Sequence, residues 1–125
     1  MRSGGPREAI ERFYRSVAGD ANWEGLDPEL RERERAGADT YLETERGAFA
    51  EWLPDDATLA GVATPIQLLI GDRSLPYFAQ AAAGLAKPLR VEITSTAGTH
   101  FGYLDHPVEL AETMRPFLRT LSGVT

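Results

Sequence analysis

Ile10, Phe13, Tyr14 and Val17 recur at intervals of three and four along residues 7–18, the period that puts apolar groups on one face of a helix. Glu8 and Arg12, and Glu11 and Arg15, stand four apart and can pair along the same helix. The pattern predicts an amphipathic helix ended by Gly19-Asp20. Trp23 and Leu26 lead into Asp27-Pro28, a capping residue followed by proline at the first helical position, so a second helix is expected from Glu29 to about Ala50. Its apolar stripe is thin, with Leu30, Tyr41, Leu42 and Phe49 as the larger members. The run Arg31-Glu-Arg-Glu-Arg35 reads as a solvated helix face.

After Trp52-Leu53-Pro54, Asp55-Asp56 predicts a capped helical turn, and from Pro65 the pattern changes to alternating strand and helix. Ile66, Leu68, Leu69 and Ile70 form a nearly continuous apolar run, the mark of a parallel strand covered on both faces. Leu89, Val91 and Ile93 instead alternate with Arg90, Glu92 and Thr94, which predicts a strand with one wet face. Residues 74–86 between them are long enough for a crossover helix, so the two strands are expected to be parallel neighbours. A last helix from Pro107 is expected to bury Leu110, Met114, Phe117, Leu118 and Leu121, with Pro116 kinking or stopping it. The predicted fold class is α/β: a helical region over 1–60, then β-α-β-α over 61–125 with two parallel strands.

Composition narrows the chemistry. A chain of 125 residues with 42% hydrophobic and 26% charged content falls in the single-domain globular range. No apolar run approaches the roughly 18 residues of a membrane span, and the first residues lack the apolar stretch of a secretory signal. With no cysteine there are no disulfides and no thiolate chemistry, and a cytoplasmic location is expected. The net charge is −6, and the thirteen Lys and Arg are dispersed, so no basic face invites nucleic acid. Two histidines leave little for a metal site, and no glycine-rich loop cradles phosphate. Neither a cofactor nor a metal is expected.

From Pro65 the order is strand, a turn at Gly71, helix, strand, the turn Gly98-Thr99-His100, and a final helix. That order resembles the closing third of the α/β-hydrolase family, and the helical residues 7–60 resemble the lid that many members insert before it. The resemblance implies that His100 is the general base, since an imidazole can take a proton from a serine hydroxyl near neutral pH and return it to the leaving group. It places the triad acid at Ser74, where no carboxylate stands. Asp72, two residues earlier, is the remaining candidate to orient His100, unless the acid lies upstream of the lid as in some members. Ser74 is expected to cap the following helix, and His106 in Asp105-His-Pro107 to cap or to be exposed. The family's Gly-x-Ser-x-Gly elbow is absent: none of Ser3, Ser16, Ser74, Ser95 or Ser122 sits in it, and Ser95, near a strand end, comes nearest.

The resemblance therefore implies part of an enzyme acting on an ester, amide or similar bond of a small-molecule substrate, with its base here and its nucleophile elsewhere. Turnover by the chain alone is not expected, because triad members act as a unit. One edge of the 66–70 strand should be bare, which predicts a homo-oligomer or docking to a separate N-terminal half. The alternative is a non-catalytic binding module, with Phe13, Tyr14, Tyr41, Phe49 and Trp52 lining a pocket, or a structural remnant that self-associates.

Overall fold

The computed structural model describes residues 5–51, 54–121 and 123, with the side chains of 49–51 outside that description. The chain divides into two compact units, Met1–Leu53 and Pro54–Thr125. The boundary falls ahead of residue 60, because the short helix Asp56–Ala60 packs on the long helix of the second unit.

The first unit is helical: α1 Pro6–Ala18, α2 Asp20–Gly25, α3 Pro28–Ala36, α4 Ala38–Thr40, a π-helical turn over Tyr41–Glu45, and α5 Arg46–Glu51. The expected second helix is thus present but broken. Gly19 adopts φ +90, a left-handed conformation open to glycine, and turns the chain between α1 and α2. Asp27 caps α3 as its sequence predicts, accepting hydrogen bonds from the backbone N–H of Glu29 and Leu30. Ile10, Tyr14 and Val17 of α1 are buried with Trp23 and Ala38.

Helix α3 buries no residue fully, and its attachment to α1 and α2 is ionic. Arg35 reaches Glu11 through Nε and Nη2 at 2.9 and 2.7 Å, and its guanidinium also lies 5.3 Å from the centre of the Trp23 ring. Arg31 pairs with Glu24, Arg7 with Glu32, and the Tyr14 hydroxyl donates to Glu34 at 2.6 Å. The 31–35 run is therefore not the solvated face expected of it. Four of its five members tie helices together, because a helix with a thin apolar stripe has little else to bind with.

The second unit contains α6 Asp56–Ala60, β1 Leu68–Gly71, α7 Pro76–Leu89, β2 Ile93–Thr96, α8 Gly102–Asp105 and α9 Pro107–Leu121. Asp55 caps α6 by accepting from the Thr58 N–H. The strands pair in parallel, with Leu68 opposite Ile93 and Gly71 opposite Thr96, as the crossover spacing requires. Among the described residues β1 pairs only with β2, so its other edge has no strand partner.

Three burial expectations change. Strand β1 is half-buried at all its positions rather than covered on both faces. Strand β2 begins only at Ile93, because α7 runs through Pro88 to Leu89 and Arg90, at φ 56, ends it with a left-handed cap. Leu89 and Val91 therefore lie outside the strand, and its inward positions are Thr94 and Thr96, with Ile93 on the wet face. Helix α9 continues past Pro116 to Leu121, so the stop does not occur; Leu110, Met114 and Phe117 are half-buried while Leu118 and Leu121 are exposed.

The Arg35 and Arg15 side chains hold the Glu11 carboxyl below its ordinary pKa, outweighing the effect of burial. A carboxylate whose folded pKa is depressed stabilises the fold above its ordinary value of about 4.3, and that contribution is lost as pH falls through the folded pKa. Glu11→Gln is expected to cost the first unit about 0.5–1 kcal/mol at pH 7. The difference from wild type should shrink as pH falls through the folded pKa of Glu11, as read by urea unfolding across pH.

Candidate functional site

The last turn of β1 and the loop leaving β2 are bound into one backbone knot. The Asp72 N–H donates to Thr96 O at 2.8 Å and the Arg73 N–H to Gly98 O at 2.9 Å. In return the Asp72 carboxylate accepts the Gly98 N–H at 3.0 Å. The approach is close enough that a Cβ on Gly71 would lie 2.4 Å from the carbonyl oxygens of both Gly98 and Thr99. Gly98 itself has φ +104, and a Cβ there would meet Asp105 Oδ1 at 2.6 Å. Glycine at both positions is thus a geometric requirement.

Asp105, at the end of α8, fastens the other side of the loop. Its side chain is only 2% exposed, and its Oδ2 accepts the Thr99 N–H at 2.9 Å. Burial alone would raise its pKa, but hydrogen bonds from the Thr99 N–H and hydroxyl, together with His106, leave it below the ordinary carboxylate value. The Thr99 hydroxyl also accepts the Phe101 N–H at 3.2 Å. Residues 98, 99 and 101 are consequently fixed around His100.

His100 projects from this loop with its ring stacked on Phe78 of α7, at 3.6 Å between centres and 10° between planes. The Phe101 ring lies 5.7 Å from it, with the planes tilted by 50°. Loss of water from the covered surface pushes its pKa below the ordinary histidine value. No described residue hydrogen-bonds either ring nitrogen. The ring borders a cavity of about 140 Å³ at the C-terminal ends of the two strands, whose wall includes Leu69, Thr96, Thr99, Tyr103 and Leu110.

His100 and Asp72 are not brought into hydrogen-bond contact. Asp72 instead holds the backbone two residues before His100, and its carboxylate lies 4.0 Å from the Arg73 guanidinium. Ser74 does not cap α7. Leu75 occupies the cap position without a side-chain bond, and the Ser74 hydroxyl oxygen is buried with no partner among the described residues. Ser95 is exposed and, one position from Thr96, points from the opposite face of β2 to the cavity-lining threonine. Ser3 and Ser122 lie outside the described residues, as do Trp52 and the side chain of Phe49. Phe13 stacks on Tyr41 at 5.6 Å and meets Tyr14 edge-on, so three of the five expected pocket aromatics pack on one another within the first unit.

His106 does take the backbone capping role, its carbonyl accepting the Leu110 N–H at 3.0 Å, but its side chain is not simply exposed. An Arg73 guanidinium nitrogen lies 3.2 and 3.3 Å from its two ring nitrogens, and its Nδ1 is 3.4 Å from Asp105 Oδ1. Sequence reasoning missed Asp105. The available signal was a carboxylate just ahead of a helix-starting proline and one short helix beyond the histidine.

Among the described residues no group of three or more His, Asp or Glu side chains is placed to hold a metal ion, and no helix is long and apolar enough to cross a membrane. No protein-family model matches the chain, and no curated protein matches it. What the fold defines is a mixed helix-and-strand chain, mostly helical, with a two-stranded parallel sheet.

Two outcomes follow from this geometry. Gly98→Ala, which combines a left-handed backbone with contact on the Asp105 carboxylate, should destabilise the second unit by about 1–3 kcal/mol in urea unfolding. Gly71→Ala, obstructed by backbone rather than by a side chain, should cost more. The His100 ring should titrate by NMR below the ordinary midpoint of about 6.5, and Phe78→Ala, by readmitting water, should move the midpoint back up toward it. The sign matters for stability: the folded state resists protonating His100, so acidification through that range weakens the fold.

Proposed function

We propose that the second unit supplies the general base of an acyl-transfer site of the α/β-hydrolase type, acting on an ester, amide or similar bond, with His100 as the base. The observation that carries the reading is His100 itself. It sits beyond the C-terminal end of a parallel strand, where α/β sheets place their ligands, on a loop pinned by Asp72 and Asp105. Its ring is disposed to be neutral, as a base at physiological pH must be.

In the reaction, a ring nitrogen of His100 accepts the proton of an attacking hydroxyl as that oxygen bonds to the acyl carbon, then returns it to the leaving oxygen or nitrogen as the acyl bond breaks. Asp72 serves this chemistry as a positioning residue, through the Gly98 backbone. The nucleophile, the oxyanion donors and the acid that orients the ring come from a separate chain that docks on the second unit. A cytoplasmic setting suits a chain without cysteine.

The open edge of β1 and the exposed large apolar side chains, which among the described residues number eight and all lie in the second unit, favour a second reading in which the chain is a docking module without chemistry of its own. An activated ester distinguishes the two, because a neutral imidazole promotes its hydrolysis without a serine. The chain is expected to hydrolyse p-nitrophenyl acetate slowly, with an acid limb whose midpoint lies below about 6.5. His100→Gln should lower the rate at least about tenfold while His106→Gln leaves it unchanged. Equal rates for wild type and His100→Gln would remove the catalytic reading and leave the module. Labelling of Ser74 or Ser95 by a fluorophosphonate would contradict an external nucleophile.

A further inference from the structure

The cavity beside His100 differs in character from the rest of the site. Leu69 and Leu110 contribute apolar residues to its wall, and Thr96, Thr99, Tyr103 and His100 are among the others. No Asp, Glu, Lys or Arg lines it. Register accounts for the arrangement: Gly71 pairs with Thr96, so Leu69 and Thr96 share the sheet face on which α9 brings Leu110. Both threonine hydroxyls have a partner, Thr96 lying 3.3 Å from the Thr113 hydroxyl and Thr99 accepting the Phe101 N–H at 3.2 Å. The wall thus mixes apolar and neutral polar groups and carries no formal charge, with His100 a hydrogen-bonding group still without a partner among the described residues.

We infer that this cavity is a subsite for the apolar part of a small neutral ligand, of the size of one six-membered ring or a chain of four to six carbons, whose polar group faces His100. Size supports the assignment, because an apolar cavity of about 150 Å³ holds a benzene ring and this one is about 140 Å³. The absence of charge sets the class. An anion or cation entering this wall would give up hydration with no opposite charge there to replace it, whereas an ester or amide keeps its hydrogen-bonding atoms at the imidazole. On the reading of His100 as base, the cavity selects short-chain or phenyl acyl groups over long-chain or charged ones.

Benzamide is a suitable probe, being neutral, planar and slow to hydrolyse, so its binding is measured without any turnover. Titrated into the full chain at pH 7.5, it should give saturable NMR shifts at Gly98–Gly102 and the His100 ring with a Kd of about 1–10 mM, the range that a ligand of this size reaches at ordinary efficiency. Benzoate should bind at least about fivefold more weakly because its charge must be desolvated. Leu110→Phe, which fills the cavity, should weaken benzamide at least about fivefold. Gly102→Ala is the companion variant that the fold can accept, since its Cβ would meet nothing closer than 3.7 Å, and it should weaken binding in the same direction. No saturable shift up to about 20 mM, benzoate binding as tightly as benzamide, or binding indifferent to both variants would overturn the inference. Benzamide binding together with a His100→Gln chain that keeps its esterase rate would retain the subsite and discard the base. The converse result would retain the base and discard the subsite.

Discussion

The contact on which the second unit depends is the approach of two backbones at Gly71 and Gly98. The end of β1 and the loop leaving β2 lie so close that neither position has room for a side-chain carbon. At that distance amide and carbonyl groups of the two segments satisfy one another, and the Asp72 and Asp105 carboxylates take the loop N–H groups of Gly98 and Thr99. A buried N–H without a partner would cost about 1–3 kcal/mol, so the two acids and the two glycines form one solution to a single problem of backbone satisfaction. His100 inherits its place from that solution, because the residues on either side of it have nowhere else to go.

The same economy explains the first unit differently. Its helices bury few large side chains, Trp23 foremost, and α3 has only a thin apolar stripe to offer, with Leu30 half-buried. The attachments are made by Glu11, Glu24, Arg15, Arg31 and Arg35, partly shielded from water and sharing partners. A network in which Glu11 serves both Arg15 and Arg35 is worth more than isolated surface pairs, because ordering one side chain serves several contacts. Arg35 adds its guanidinium over the Trp23 ring, so one residue closes the ionic network and covers the largest buried group.

Elements whose signal is local were legible in the sequence. The Asp27-Pro28 and Asp55 caps, the amphipathic α1 and the parallel pairing of β1 with β2 follow from capping chemistry, helical period and crossover length, each set by residues a few positions apart. What was not legible depends on distant partners. Arg31 and Arg35 look solvated until α1 supplies Glu11 and α2 supplies Glu24. In β2 the inward positions are Thr94 and Thr96 rather than Ile93, and Leu89 and Val91 fall outside the strand because α7 and its left-handed cap extend to Arg90. At the site, His100 was legible from the Gly-x-His turn that follows a strand. The placing of Asp72 on the Gly98 N–H, and the whole contribution of Asp105, arise from backbone groups that a sequence does not display.

The second unit also carries an imbalance that bears on its use. Among the described residues its buried apolar side chains are Ala82 and Phe101, whereas Tyr77, Leu85, Ile93, Tyr103, Val108 and Leu121 are among those exposed. Helix α9 turns Leu110, Met114 and Phe117 partly inward while Leu118 and Leu121 face out, so its apolar stripe is wider than the surface that receives it. Among the described residues the other edge of β1 has no strand partner, and the strand is half-buried throughout. A sheet edge and a helix stripe are left unsatisfied in different ways, one needing hydrogen bonds and the other apolar area, and a single strand-and-helix element laid along β1 would answer both needs. The loop that holds His100 is pinned by Asp72 and Asp105 at the Gly98 and Thr99 N–H groups, so its place depends on the two strand ends rather than on whatever covers the open edge of β1.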